Sequence, residues 1–143
     1  MNETSLIESY NFYKQYHNHP INKGLHMICI PMIVWSLLAM IKKCRRSNTV
    51  PKIIYYLYIL YYFKLNFYYG IYSFFFFKFI LNSALKTRYN MSTLVKIHFS
   101  SWILQFVGHY IEGKKPALLD GIFQAFTIAP YFTVIEILSI FSL

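Results

Sequence analysis

The sequence predicts an all-α fold: a polytopic transmembrane helical bundle of four to five spans, formed by one membrane domain over residues 1–143. Three observations predict it. Hydrophobic residues make up 57% of the chain and charged residues only 13%, against about 25% charged in an ordinary soluble domain. A chain of 143 residues forms one domain, with too little polar surface to cover that much apolar material in water. The apolar residues also fall into long runs separated by short basic stretches, the pattern of spans and juxtamembrane loops.

Residues 1–24 read as a polar, interfacial preamble. Ser5 to Tyr16 can form an amphipathic surface helix with Leu6, Tyr10 and Tyr13 on one side. Asn18 and Pro20 then suit a turn. The first apolar run, 25–41, has His26 at its mouth and Pro31 inside it. Its length of roughly 25 Å is just enough to span. Lys42, Lys43, Arg45, Arg46 and Lys52 form a basic loop after it.

Residues 53–81 would make one helix of roughly 43 Å, well beyond a hydrocarbon core of about 30 Å. Lys64, Asn66 and Gly70 near the middle favour a break and a hairpin of two short helices. The aromatic run Phe74 to Phe77 reads as lipid-facing filler. Lys86 and Arg88 mark another polar loop, 94–111 a further helix, and 117–141 the last span, bent or interrupted at Pro130. Glu112 to Pro116 is a tight link, with Pro116 suited to the first turn of the closing helix.

The charge balance of +9, from 14 Lys and Arg against five acids, would point to nucleic acid in a soluble protein. Here the basic residues lie mostly between apolar runs, where they meet anionic lipid, and no docking motif for nucleic acid is visible. The expected partners therefore include membrane lipids and exclude nucleic acid. Cys29 and Cys44 are too few for a disulfide framework or a zinc cluster. Residues 1–24 lack the apolar core of a signal peptide. Basic residues are denser in the loops 42–52 and 82–96 than on the other side, so the positive-inside rule turns the His-rich face away from the cytosol.

Chemistry concentrates in two places. At roughly 100° per residue, His98, Trp102, Gln105 and His109 share one stripe of the 94–111 helix, and Glu112 continues it. Ionisable groups inside a membrane helix are costly and imply a polar cavity or a functional site. For His98 alone, helix–helix hydrogen bonding is the simpler explanation. His109 and Glu112, three apart on one face, can share a metal site or the shell around it. The second cluster is His17, His19 and His26, three of the chain's five histidines within ten residues, with Asn22 between them. Topology links the clusters. If 53–81 is a hairpin, His17, His26, His109 and Glu112 converge at one face; if it is a single span, no shared site is possible.

These residues also carry a family resemblance. The stretch Tyr16-His17-Asn18-His19-Pro20-Ile21-Asn22-Lys23-Gly24-Leu25-His26, followed by Ile30-Pro31, resembles the opening motif of the 2-hydroxy fatty acid dioxygenase family, small membrane proteins of fungal α-oxidation and their relatives. Trp102 to His109, then Glu112-Gly113-Lys114-Lys115-Pro116-Ala117-Leu118-Leu119-Asp120, resembles its second motif, and Ala129-Pro130 with Glu136 its tail. Residues 42–93 match only in hydropathy. The spacing from His109 to Glu112 is a residue shorter than the family pattern, and His19 and His98 match no family position.

The resemblance implies an Fe(2+)-dependent dioxygenase of the endoplasmic reticulum membrane. It would shorten a long-chain 2-hydroxy fatty acid by one carbon with dioxygen, in fatty acid α-oxidation and sphingoid base degradation. It implies His17, His26 and His109 as metal ligands and Glu112 as ligand or outer partner. Asn22 and Gln105 would orient ligands or substrate. Neutral imidazoles suit Fe(II), and few protein ligands leave positions for substrate and oxygen. Lys114 and Lys115, unfavourable at the amino end of the last helix, would attract the fatty carboxylate. A diiron hydroxylase or desaturase is the nearest enzymatic rival, but five histidines without an HxxHH pattern argue against it. The alternative of another class is a non-catalytic membrane scaffold or lipid-organising protein. A transporter is disfavoured because no inverted repeat is evident.

Overall fold

The computed structural model describes Asn11, residues 14–116 and residues 122–141. Among these all regular structure is helical: α1 (Pro20–Arg45), α2 (Thr49–Leu65), α3 (Phe67–Lys86), α4 (Met91–Glu112) and α5 (Ile122–Phe141). Most of the surface helix expected over Ser5 to Tyr16, and the start of the last span at Ala117, lie outside the described residues. The chain divides into two compact units, Met1–Ile30 with Ile103–Leu143, and Pro31–Trp102.

Helix α1 starts where local chemistry allows. Pro20 opens it, where a missing N–H costs nothing. His19 caps it: its Nδ1 accepts the Ile21 N–H at 3.2 Å, and its carbonyl accepts the Lys23 N–H at 3.0 Å. The capping role accounts for a histidine that the metal motif does not use. Both internal prolines are carried within helices, Pro31 in α1 and Pro130 in α5, so of the bend or interruption expected at Pro130 only a bend is compatible with the continuous helix.

The second unit contains the α2–α3 pair. Asn66 ends α2 and begins α3: in extended conformation its N–H reaches Tyr62 O, and its side chain accepts the Tyr69 N–H at 3.1 Å. Gly70 is not the break. It is the place where the two helices touch, since a Cβ there would lie 2.7 Å from the Phe63 ring and 3.0 Å from Phe63 Cα. Tyr55 Oη donates to Phe74 O at 2.9 Å across the same pair. Gly70→Leu should lower the thermal midpoint in detergent through an overpacking cost of roughly 1–3 kcal/mol. An unchanged midpoint would show that the helices are not held at this separation.

His98 sits in this unit within a closed relay. Trp102 Nε1–H donates to His98 Nε2 at 3.2 Å, so the ring proton is on Nδ1 and goes to Ser36 Oγ at 3.0 Å. Ser36 in turn donates to Ile33 O at 3.1 Å. Each polar atom has its partner, and His98 joins α4 to α1 as a helix–helix hydrogen bond.

Among the described residues, α1 alone is both long and apolar enough to cross a membrane by length and composition. Helix α2 has 17 residues and many tyrosines, and α3 and α4 carry Lys78 and Lys96 with several hydroxyl side chains. Large apolar side chains nevertheless face outward on α1 to α4, among them Ile28, Leu57, Leu60, Phe75, Phe79, Phe99 and Ile103.

Candidate metal centre

The first unit brings together three histidines from two distant stretches of the chain. His17 comes from the loop before α1, His26 from the second turn of α1, and His109 from the last turn of α4. All three are buried, and one ring nitrogen from each lies within 4.8 Å of the others. The ring centroids are 4.3 Å apart for His17 and His26, and 4.9 Å for each of the other two pairs. Metal–nitrogen bonds of about 2.1 Å allow nitrogen pairs up to roughly 4.2 Å apart around one ion. Sub-ångström shifts of the rings therefore close the set on a cation.

Protonation suits the same purpose. His26 Nδ1 lies 3.0 Å from the Asn22 carbonyl one turn earlier. A carbonyl only accepts, so the proton is on Nδ1 and Nε2 keeps its lone pair. His109 Nδ1 and Gln105 Nε2 are buried with no hydrogen-bond partner among the described residues. Buried polar atoms without partners are rare and call for an explanation. A bound ion and its ligands supply one.

Glu112 stands outside the histidine group. Its Oε1 accepts the Asn18 N–H at 2.8 Å, and its Oε2 accepts from Asn22 Nδ2 at 2.7 Å. Lys114 Nζ lies 3.4 Å from Oε1 and also donates to the Gln15 carbonyl. The carboxylate thus clasps the His17 loop to the end of α4. Burial raises the Glu112 carboxyl, but hydrogen bonds from Asn18, Asn22, Lys114 and the His19 backbone outweigh it and hold the group below its ordinary value. The sign follows: the clasp is fully formed above the ordinary carboxylate range, about 4.3, and is lost as pH falls through the lower folded value.

Local backbone chemistry sets this geometry. Gly113, at φ 71°, ends α4 in the left-handed region. Its N–H reaches Tyr110 O and the Lys114 N–H reaches His109 O, each at 3.1 Å, the paired closure of a Schellman motif. That turn sends Lys114 back toward Glu112. Gly113→Ala should cost about 1–2 kcal/mol, the penalty of the left-handed region for a residue with a Cβ. Thermal melts of the two proteins read it directly, and an equal midpoint would contradict the assignment.

Asn22 is the hub of the loop. Its Nδ2 donates to Tyr16 O at 3.1 Å as well as to Glu112, and its carbonyl orients His26. A Cβ on Gly108 would lie 2.5 Å from Asn22 Oδ1, so glycine at 108 lets α1 and α4 approach at this level. The sequence places Gly108, Lys23 and Glu136 in the resembling motifs without a role, whereas Lys23 and Glu136 pair at 3.2 Å; Phe132, whose ring packs on His17 at 5.7 Å, gave no sequence signal. Glycine beside a motif histidine was the one signal available for Gly108. Lys115 is exposed in the link after α4.

Helices as the one regular structure among the described residues, with a buried group of three histidines able to hold a metal ion, define the class. Residues 3–140 match the family described as Mpo1-like: 2-hydroxy-palmitic acid dioxygenase Mpo1-like, and the chain belongs to this family. It is 31% identical over 139 residues to the 2-hydroxy-palmitic acid dioxygenase MPO1 of Saccharomyces cerevisiae, covering 93% of this chain and 79% of that protein. No solved structure matches the chain.

Proposed function

We propose that this protein is an Fe(2+)-dependent dioxygenase that shortens long-chain 2-hydroxy fatty acids by one carbon, as a multi-pass protein of the endoplasmic reticulum membrane. The observation that carries the reading is the histidine trio, buried and mutually within 4.8 Å, in a chain of this family. The overall change balances without an external reductant: a 2-hydroxy acid and dioxygen give the acid one carbon shorter, carbon dioxide and water. Iron held by His17, His26 and His109 would supply the means to bind dioxygen beside the substrate.

The chain's own residues do the rest. Three neutral imidazoles leave the charge of a divalent ion unbalanced, because Glu112 is committed to Asn18, Asn22 and Lys114. An anionic substrate, binding through carboxylate and hydroxyl oxygens, balances it. Gln105, one helical turn from His109 and with a buried Nε2, donates to a substrate oxygen. Asn22 and Glu112 hold the His17 loop and the His26 ring in position. Lys114 and Lys115 draw in the carboxylate, and the acyl tail lies along outward apolar side chains such as Ile103 and Phe106. The many exposed large apolar side chains on α1 to α4 support a bundle of four to five spans, since such residues are better covered by lipid than by water.

Membranes containing the protein, supplied with ferrous iron and a long-chain 2-hydroxy acid, should yield the acid one carbon shorter. A chelator should abolish the product, and added Fe(2+) should restore it. Purified protein that binds no iron and gives no product would favour a non-catalytic lipid-organising role instead. Lys115→Gln should raise the substrate concentration needed by about 2- to 5-fold, the worth of one exposed ionic contact, with bound iron unchanged. Loss of iron in that variant would refute its role.

A further inference from the structure

The ion pair between Lys23 and Glu136 has no part in the proposed chemistry, yet it joins two segments that meet at His17. Lys23 lies on α1 between Asn22 and His26, and Glu136 lies on α5 one turn beyond Phe132. Phe132 and Glu136 share a face of α5. The Phe132 ring packs on His17 at 5.7 Å, while Glu136 Oε2 lies 3.2 Å from Lys23 Nζ. The two side chains are 27% and 10% exposed, so both charges are largely withdrawn from solvent.

A withdrawn ion pair is a poor source of stability, because desolvation offsets most of the attraction and an apolar pair of similar volume does as well or better. What it adds is register. The α5 sequence around it, Ile128 to Leu138, is almost uniformly apolar, and Thr133 and Ser139 direct their hydroxyls to carbonyls of α5 itself. Apolar faces pack acceptably in several registers. A slip of one residue moves Glu136 by 1.5 Å along the axis and 100° around it, which breaks the pair and removes Phe132 from His17.

We propose that Lys23 and Glu136 are positioning residues for the metal centre: their pairing fixes α5 on α1 so that Phe132 backs the His17 ring and holds it toward the other two histidines. The inference rests on the reading of the trio as a metal site, and the test separates the two. The full chain, purified metal-free, is titrated with Co(II), and affinity, the visible absorption spectrum at saturation and the thermal midpoint of the metal-free form are recorded. Wild type should bind one Co(II), and His17→Ala should weaken that binding. If wild type binds none, or His17→Ala changes nothing, the metal reading fails and the pair's role falls with it.

Given binding, the apolar pair Lys23→Met with Glu136→Leu should melt at the wild-type temperature or above. Its Co(II) affinity should fall by roughly 10–100-fold, the range for losing an outer partner of a ligand, with a changed absorption spectrum. The exchanged pair Lys23→Glu with Glu136→Lys should recover most of the affinity and the wild-type spectrum. An apolar pair that binds Co(II) with wild-type affinity and spectrum overturns the proposal. So does a variant that keeps both and only raises the substrate requirement, which would make Lys23 a carboxylate receptor.

Discussion

Replacing His109, His26 or His17 with alanine, one at a time, is expected to empty the metal centre. Each ring contributes one of the three nitrogens that lie within 4.8 Å of one another, and two imidazoles without a nearby free carboxylate make a weak site for Fe(2+). Loss of an outer partner of a ligand typically costs 10–100-fold in metal affinity or activity, so loss of a ligand should exceed that range. Iron per chain, measured on protein purified with saturating Fe(2+), should drop from near one to background. The fold should survive, because the α2–α3 pair and the His98 relay belong to the other compact unit. A variant that retains stoichiometric iron removes that histidine from the site, and retention by all three would end the proposal of an iron enzyme.

Much of this site was legible because its chemistry is expensive. Ionisable side chains are costly in apolar helices, so His98 and His109 on one stripe, with His17, His19 and His26 gathered at the mouth of the first apolar run, marked polar ground before any fold was known. The length of 53–81 against a bilayer implied two helices, and α2 and α3 meet at Asn66. Which of Lys64, Asn66 and Gly70 makes the break was not legible. All three weaken a helix, and the choice depends on the capping bond of Asn66 and the close approach of Phe63 to Gly70.

His98 shows the limit of periodicity. It shares a stripe with His109, yet its two nitrogens are occupied by Trp102 and Ser36, and a helical wheel cannot tell a satisfied ring from an available one. The Lys23–Glu136 pair and the Phe132 contact join residues more than a hundred positions apart, with no local period to reveal them. Glu112 was readable as a neighbour of the site but not as a clasp, because its partners Asn18 and Asn22 come from the other end of the chain.

Glu112→Ala tests that distinction and should have the next largest effect. Removing the carboxylate leaves the Asn18 N–H without its acceptor, releases the Asn22 side chain from one of its two bonds, and leaves Lys114 with only the Gln15 carbonyl. The His17 loop then loses its tie to the end of α4, and the trio must be assembled from a looser ensemble. Metal affinity should fall by about 10–100-fold. At saturating Co(II), however, the absorption spectrum should match wild type, because Phe132 still backs the His17 ring and the same three nitrogens close on the ion in the wild-type arrangement. A ligand role predicts the opposite: an altered spectrum at saturation whatever the affinity. The pH dependence gives a second handle. The carboxyl lies below its ordinary value when folded, so the stability gap between wild type and Glu112→Gln should be full at neutral pH and close as pH falls below about 4. A gap that persists into strong acid would mean that the charge on Glu112 is not what holds the loop.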